Sequence, residues 1–139
     1  MRSFDIPLEV VDTNSRRMAE AVMHELATRL RALVEREEPH SIDLRSLPLD
    51  PAAKDWLREQ LGQGEVEANL DSIGSSKVYE TGFSGIWWVS HSDPEERVVA
   101  EFIEVCWIPD ILQSQREDVK HSLHTLENSI NVAERGDEL

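Results

Sequence analysis

The chain has 139 residues, 40% of them hydrophobic, with 28 acidic against 14 basic side chains and a formal charge of −14 at pH 7. That length fits one domain around one core, and no apolar run approaches the roughly 20 residues that span a bilayer. The charge repels phosphate backbones and anionic lipid heads, which disfavours nucleic acid and membrane surfaces and favours a basic partner, although acidity also serves solubility alone.

Residues 1–13 read as irregular, and MRSFDIPLEV lacks the basic, apolar and small-residue pattern of a secretory signal. The terminal RGDEL approaches an ER-retention tail, but nothing here carries the chain into that compartment, so the expected location is the cytoplasm. A helix is expected over 14–36, capped by Asn14 or Ser15, with Met18, Val22, Leu26, Leu30, Leu33 and Val34 at helical spacing. Glu37, Glu38 and Pro39 end it. In SIDLRSLPLDP, Ile42 and Leu44 alternate with polar residues as in a short strand. Asp50 before Pro51 opens a second helix, which carries Trp56, Leu57 and Leu61 and stops at Gly62.

Beyond Gly62 the period falls to two. Val66, Ala68 and Leu70 alternate with polar residues over 65–71, a half-buried strand. A Gly/Ser turn at 73–76 leads into a second β run over 77–91, and a third strand is expected over 97–108. Three strands with short connections predict an antiparallel meander. Pro109 and Asp110 open the last helix. Its Leu112, Val119, Leu126 and Ala133 recur every seven residues, joined by Leu123 and Ile130. Two readings of that stripe stand: packing on the sheet of its own domain, or a homodimer through the helix. Residues 134–139 are expected to be irregular. The predicted class is α+β, one domain over 1–139 in the order α-(β)-α-β-β-β-α, with helices packed on a three-stranded antiparallel sheet.

The chemistry-bearing residues do not form a catalytic set. Cys106, the one cysteine, allows no intrachain disulfide and no four-cysteine metal or cluster site. It sits in the apolar run FIEVCWIP, where cysteine is usually packing. Glu101 and Glu104 interrupt the apolar run AEFIEVCW. Carboxylates there need partners or solvent, and a salt bridge to Arg97 or contact with a partner is expected before acid–base work with Glu80. Glu117, His121 and His124 share a helix stripe, a weak metal-ligand pattern on a face that is otherwise polar. The glycines of LGQGEV follow a helix and precede a strand, the wrong order for a phosphate loop. No cofactor is expected.

Trp87 and Trp88 are adjacent on a strand and point to opposite faces. One is expected in the core, and the other is either exposed in a binding patch or covered. A hairpin turn centred near Pro94 would set Trp87 opposite Glu101 and Ile86 opposite Phe102. That grouping puts Trp87, Glu101, Phe83 and Val105 on one face and Trp88, Ile86, Glu104 and Cys106 on the other; an odd slip reassigns it.

The stretch from Leu61 to Leu112, with the lead-in IDLRSLPLDPAAKDWLREQLG, resembles the conserved C-terminal region of the HupH/HyaF/HoxQ family of nickel–iron hydrogenase accessory proteins. The matching positions are Gly62, Gly64, Glu65 and Val66; Glu80, Thr81, Phe83, Gly85 and Trp87; and Glu101, Glu104, Val105 and Pro109. Trp88 and Cys106 depart from the family's pattern. The resemblance implies a cytoplasmic accessory protein, not an enzyme. Its implied partner is the precursor of the hydrogenase small subunit, which carries iron–sulfur clusters and a twin-arginine export signal, with other accessory proteins as further partners. The candidate partner-binding residues are Glu80, Phe83, Trp87, Trp88, Glu101 and Glu104. The alternatives are a small enzyme using Glu80, Glu101, Glu104 or Cys106, and a dimerising structural module.

Overall fold

The computed structural model describes residues 13–136, which fall into two compact units divided after Trp107. The expectations for 1–12 and 137–139 lie outside the described residues.

The first unit opens with α1 (Thr13–Arg36), whose buried side is built by Val22, Leu26 and Leu33 together with the small residues Ser15, Ala19 and Ala32. Small side chains allow close approach, and α1 packs against α2 (Pro51–Leu61). Ser15 does not cap α1; it lies inside the helix and its Oγ accepts from the Asp50 N–H at 2.7 Å. Val34 is 70% exposed, because it follows Leu33 by 100° of helical turn and leaves the buried stripe. The chain then turns at Glu37, whose φ of 57° is left-handed. Glycine there would avoid the steric cost of that conformation, so Glu37→Gly is expected to raise stability by about 1 kcal/mol in urea unfolding.

The second helix begins and ends as its sequence dictates. Asp50 Oδ1 accepts from the Ala53 N–H at 2.8 Å, Pro51 opens the first turn, and Gly62 closes the last one at φ 68°.

The sheet has five strands, not three: β1 (His40–Asp43), β2 (Glu67–Asp71), β3 (Ser75–Glu80), β4 (Ile86–Ser92) and β5 (Val98–Val105). Their spatial order is β1-β5-β4-β3-β2, and all neighbours are antiparallel. Two features account for the difference. The expected 77–91 run is broken over Thr81–Gly85, where Gly85 has φ 92° and the Thr81 hydroxyl and Phe83 backbone exchange hydrogen bonds. The short 40–43 segment also joins the sheet, beyond β5, as an edge strand that a meander pattern does not announce.

The β4–β5 register also departs from expectation. Trp87 faces Glu104, Trp88 faces Ile103 and Ser90 faces Glu101, with a bulge between His91 and Ser92. The Asp93 N–H reaches Arg97 O, and Asp93 Oδ1 accepts from the Glu95 and Arg97 N–H groups, so the turn sits further along the chain. The Asp93 carboxyl is held below its ordinary range, chiefly by that Arg97 backbone bond. The shift along β5 is odd, and odd shifts exchange faces. Glu101 therefore lies on the face of Trp88 and Ile86, and Glu104 on that of Trp87.

The helix-side core unites Val22, Leu26, Leu33, Leu44, Leu57 and Leu61 with Ile86, Trp88, Ile103 and Val105. Burial of each large apolar side chain stabilises by roughly 1.5–3 kcal/mol before entropy is counted. On the opposite face of the sheet, Val78, Trp87 and Val89 are buried as well.

The second unit holds a short 3₁₀ turn (Asp110–Leu112) and the helix α3 (Arg116–Glu134). The helix starts later than Pro109 and Asp110 promised, because the first turn after them is tight and stops at Gln113.

Candidate functional site

Two constellations contain the residues singled out in the sequence, one on each face of the sheet. On the helix side, Glu101 is 3% exposed, and both carboxylate oxygens are occupied. Oε1 accepts from Lys54 Nζ at 2.9 Å; Oε2 accepts from Arg58 Nη2 at 2.8 Å and from the Trp88 indole N–H at 3.1 Å. The Arg58 guanidinium lies 4.7 Å from the centroid of the Trp88 ring, a favourable cation–π contact. Burial alone would raise the Glu101 carboxyl, but hydrogen bonds from Lys54 and Trp88 and the charges of Lys54 and Arg58 outweigh it and hold it below the ordinary range. Tyr79, beside Arg58, is pushed up, mainly by burial.

This arrangement pins α2 to the sheet. Its carboxylate is saturated with donors and stays ionised, so it is a poor proton donor. Of the two expectations for this carboxylate, a salt bridge to Arg97 or contact with a partner, the first is not met: Arg97 pairs with Asp93 and Glu95 across its own turn. Sequence reasoning missed Lys54, Arg58 and Tyr79. A signal was present: Lys54 and Arg58 share a helix side with Leu57 and Leu61, and cations on a buried side require a buried anion. Beyond Arg58 the sheet carries a polar hollow of about 770 Å³, lined by Asn69, Asp71, Lys77 and Ser90 among others.

On the opposite face, strand pairing sets Glu80 against Trp87 and Trp87 against Glu104, a row across β3, β4 and β5. Trp87 is only 5% exposed, and its indole N–H donates to Cys106 O at 3.2 Å. The carboxylates on either side are partly exposed. Glu80 Oε2 accepts from the Gly85 N–H at 3.1 Å, which fixes it against the β3–β4 turn. The Cys106 N–H donates to Gly85 O at 3.0 Å and ties the end of β5 to the same turn. Two aromatics flank this junction in the open, Phe83 at 49% exposure and Trp107 at 62%.

The candidate residues thus divide. Glu80, Trp87 and Glu104 form one row with Phe83 in the adjoining turn, while Trp88 and Glu101 sit on the other face. Trp87 and Trp88 are both buried, so the exposed aromatics among the described residues are Phe83 and Trp107, the latter not among the candidates. The three glutamates do not converge on one point. Glu117 bonds Lys120 and His124 bonds Asn128, and among the described residues no three His, Cys, Asp or Glu side chains are gathered for a metal. No helix there is long and apolar enough to cross a membrane.

Gly64 of the first motif and Gly82 of the β3–β4 turn belong to the same junction. The Gly64 N–H donates to Glu80 O at 2.7 Å, and the Gly82 N–H to Leu61 O at 2.9 Å, so the segment after α2 is laid against the β3–β4 turn.

The fold and this junction define an α+β protein with a partly exposed acidic and aromatic surface at one end of an antiparallel sheet. Residues 17–133 match the family model of the HupH hydrogenase expression protein, C-terminal conserved region, and the chain belongs to that family. It is similar to the hydrogenase expression/formation protein HoxQ of Azotobacter vinelandii, 31% identical over 63% of this chain and 31% of that protein. It is also similar to the hydrogenase-1 operon protein HyaF of Escherichia coli, 29% identical over 64% of this chain and 31% of that protein. The solved structure of the hydrogenase expression protein HupH from Thiobacillus denitrificans superposes with a TM-score of 0.78 at 38% identity, covering 81% of this chain and 94% of that one. The match to HoxQ thus spans about a third of that protein's length.

Proposed function

We propose that this chain is an accessory protein of nickel–iron hydrogenase biosynthesis and acts by binding the precursor of the small subunit in the cytoplasm, without catalysis. The names of its relatives support the setting. The observation that carries the binding mode is the row Glu80–Trp87–Glu104 beside the exposed rings of Phe83 and Trp107. Successive antiparallel partners put the two glutamate backbones roughly 10 Å apart, with the buried indole holding the spacing. Carboxylates at that separation take basic side chains by charge-assisted hydrogen bonds, and open aromatic rings beside them stack on guanidinium planes. A basic export signal offers both groups, and the charge of −14 steers it inward.

Calorimetric titration of the precursor into the purified chain tests this reading. Phe83→Ala with Trp107→Ala is expected to weaken binding by about thirtyfold, the loss of a hot spot worth roughly 2 kcal/mol. Glu104→Gln is expected to weaken it by roughly tenfold and to reduce its salt dependence. Unchanged affinity in both variants contradicts the assignment.

A further inference from the structure

We propose that α3 is a homodimerisation element that pairs antiparallel with the same helix of a second copy. Its stripe Val119, Leu123, Leu126 and Ile130 advances by alternating steps of four and three residues, the spacing of a coiled-coil seam. Those four side chains are 47–59% exposed, and no described residue of the helix is buried. A helix of 19 residues gains little from propensity alone and is stabilised mainly by covering its apolar side.

The flanks of the stripe identify the occupant. In an antiparallel pair, Leu123 of one copy packs beside Leu126 of the other, and Val119 beside Ile130. That register carries Lys120 of one copy to Glu127 of the other, and two-fold symmetry makes the pair twice. Ser122 and Ser129 line the opposite flank and set no charge against the contact. In a parallel pair Lys120 meets Gln115 and Glu127 meets Ser122, so the charge pattern selects the antiparallel arrangement. Within its own helix Lys120 also touches Glu117 at 3.4 Å, an exposed bridge weak enough to be exchanged. His121 and His124 fall outside the seam.

Sedimentation equilibrium of the whole chain, at about 0.15 M salt where the Debye length is roughly 8 Å, tests the pairing. The expected result is a concentration-dependent rise from the 15.9 kDa of one chain toward the mass of two. Lys120→Glu and Glu127→Lys, each alone, are expected to weaken association by at least tenfold. The double exchange is expected to restore it. Both positions are exposed, and all four tryptophans lie in the first unit, so an unchanged tryptophan emission in the variants reports that the fold of that unit is kept. One chain's mass throughout the range overturns the proposal, and so does a dimer indifferent to the single reversals.

Discussion

Replacing Glu101 by glutamine is expected to lower stability by roughly 3 kcal/mol, the scale of breaking a buried ion pair by removing one partner. Lys54 and Arg58 would then face each other without their shared anion, close to Trp88. Each cation retains some contact with solvent, which keeps the loss at the lower end of that scale. Glu35→Gln removes an exposed bridge to Arg31 and is expected to cost less than about 0.5 kcal/mol. Urea unfolding of the two variants gives the comparison. The sign of the pH dependence follows from the lowered carboxyl. The Glu101 contribution is present in full above the ordinary glutamate value of 4.5, which serves for the unfolded chain, and is lost as pH falls through the lower folded value. Glu101→Gln should therefore flatten the acid limb of the stability profile.

Gly64→Ala is expected to cost on the order of 3 kcal/mol, at the upper end of overpacking penalties. A Cβ at Gly64 would stand 2.6 Å from Thr81 O and 3.2 Å from Glu80 O, both backbone atoms that no rotamer change can move. Relief requires the segment after α2 to separate from the β3–β4 turn, which breaks the Gly64 N–H bond to Glu80 O. That turn presents Phe83 and anchors Glu80, so the proposed binding should weaken with stability. Gly62→Ala has open space around its Cβ, but φ 68° with ψ −166° is a backbone conformation almost confined to glycine, so roughly 2 kcal/mol is expected there. Thermal unfolding of the two alanine variants separates close approach from backbone conformation.

The legible parts of the fold were those governed by local chemistry. Asp50, Pro51 and Gly62 fixed the ends of α2 because capping depends on adjacent residues. The alternation of Ala68 and Leu70 marked β2. What escaped depended on partners distant in sequence. The β1 strand is four residues long and acquires its identity from β5, across more than half of the first unit. The face of Glu101 turned on a register set by one bulge and one aspartate-centred turn. An error of odd length there exchanged its neighbours, grouping it with Trp87 in place of Trp88. The motif positions were readable as a family likeness, but their role emerged only from the hydrogen bonds joining Gly64, Glu80, Gly85 and Cys106.

The proposed role of this chain is to hold the small-subunit precursor. Its most direct test is purification of the tagged protein from hydrogenase-producing cells, with mass spectrometry of what accompanies it. The expected result is recovery of the precursor with its export signal uncleaved, and depletion of that species when Phe83 and Trp107 are both alanine. Recovery of the tagged chain without the precursor, from cells in which the precursor is plainly present, would contradict it.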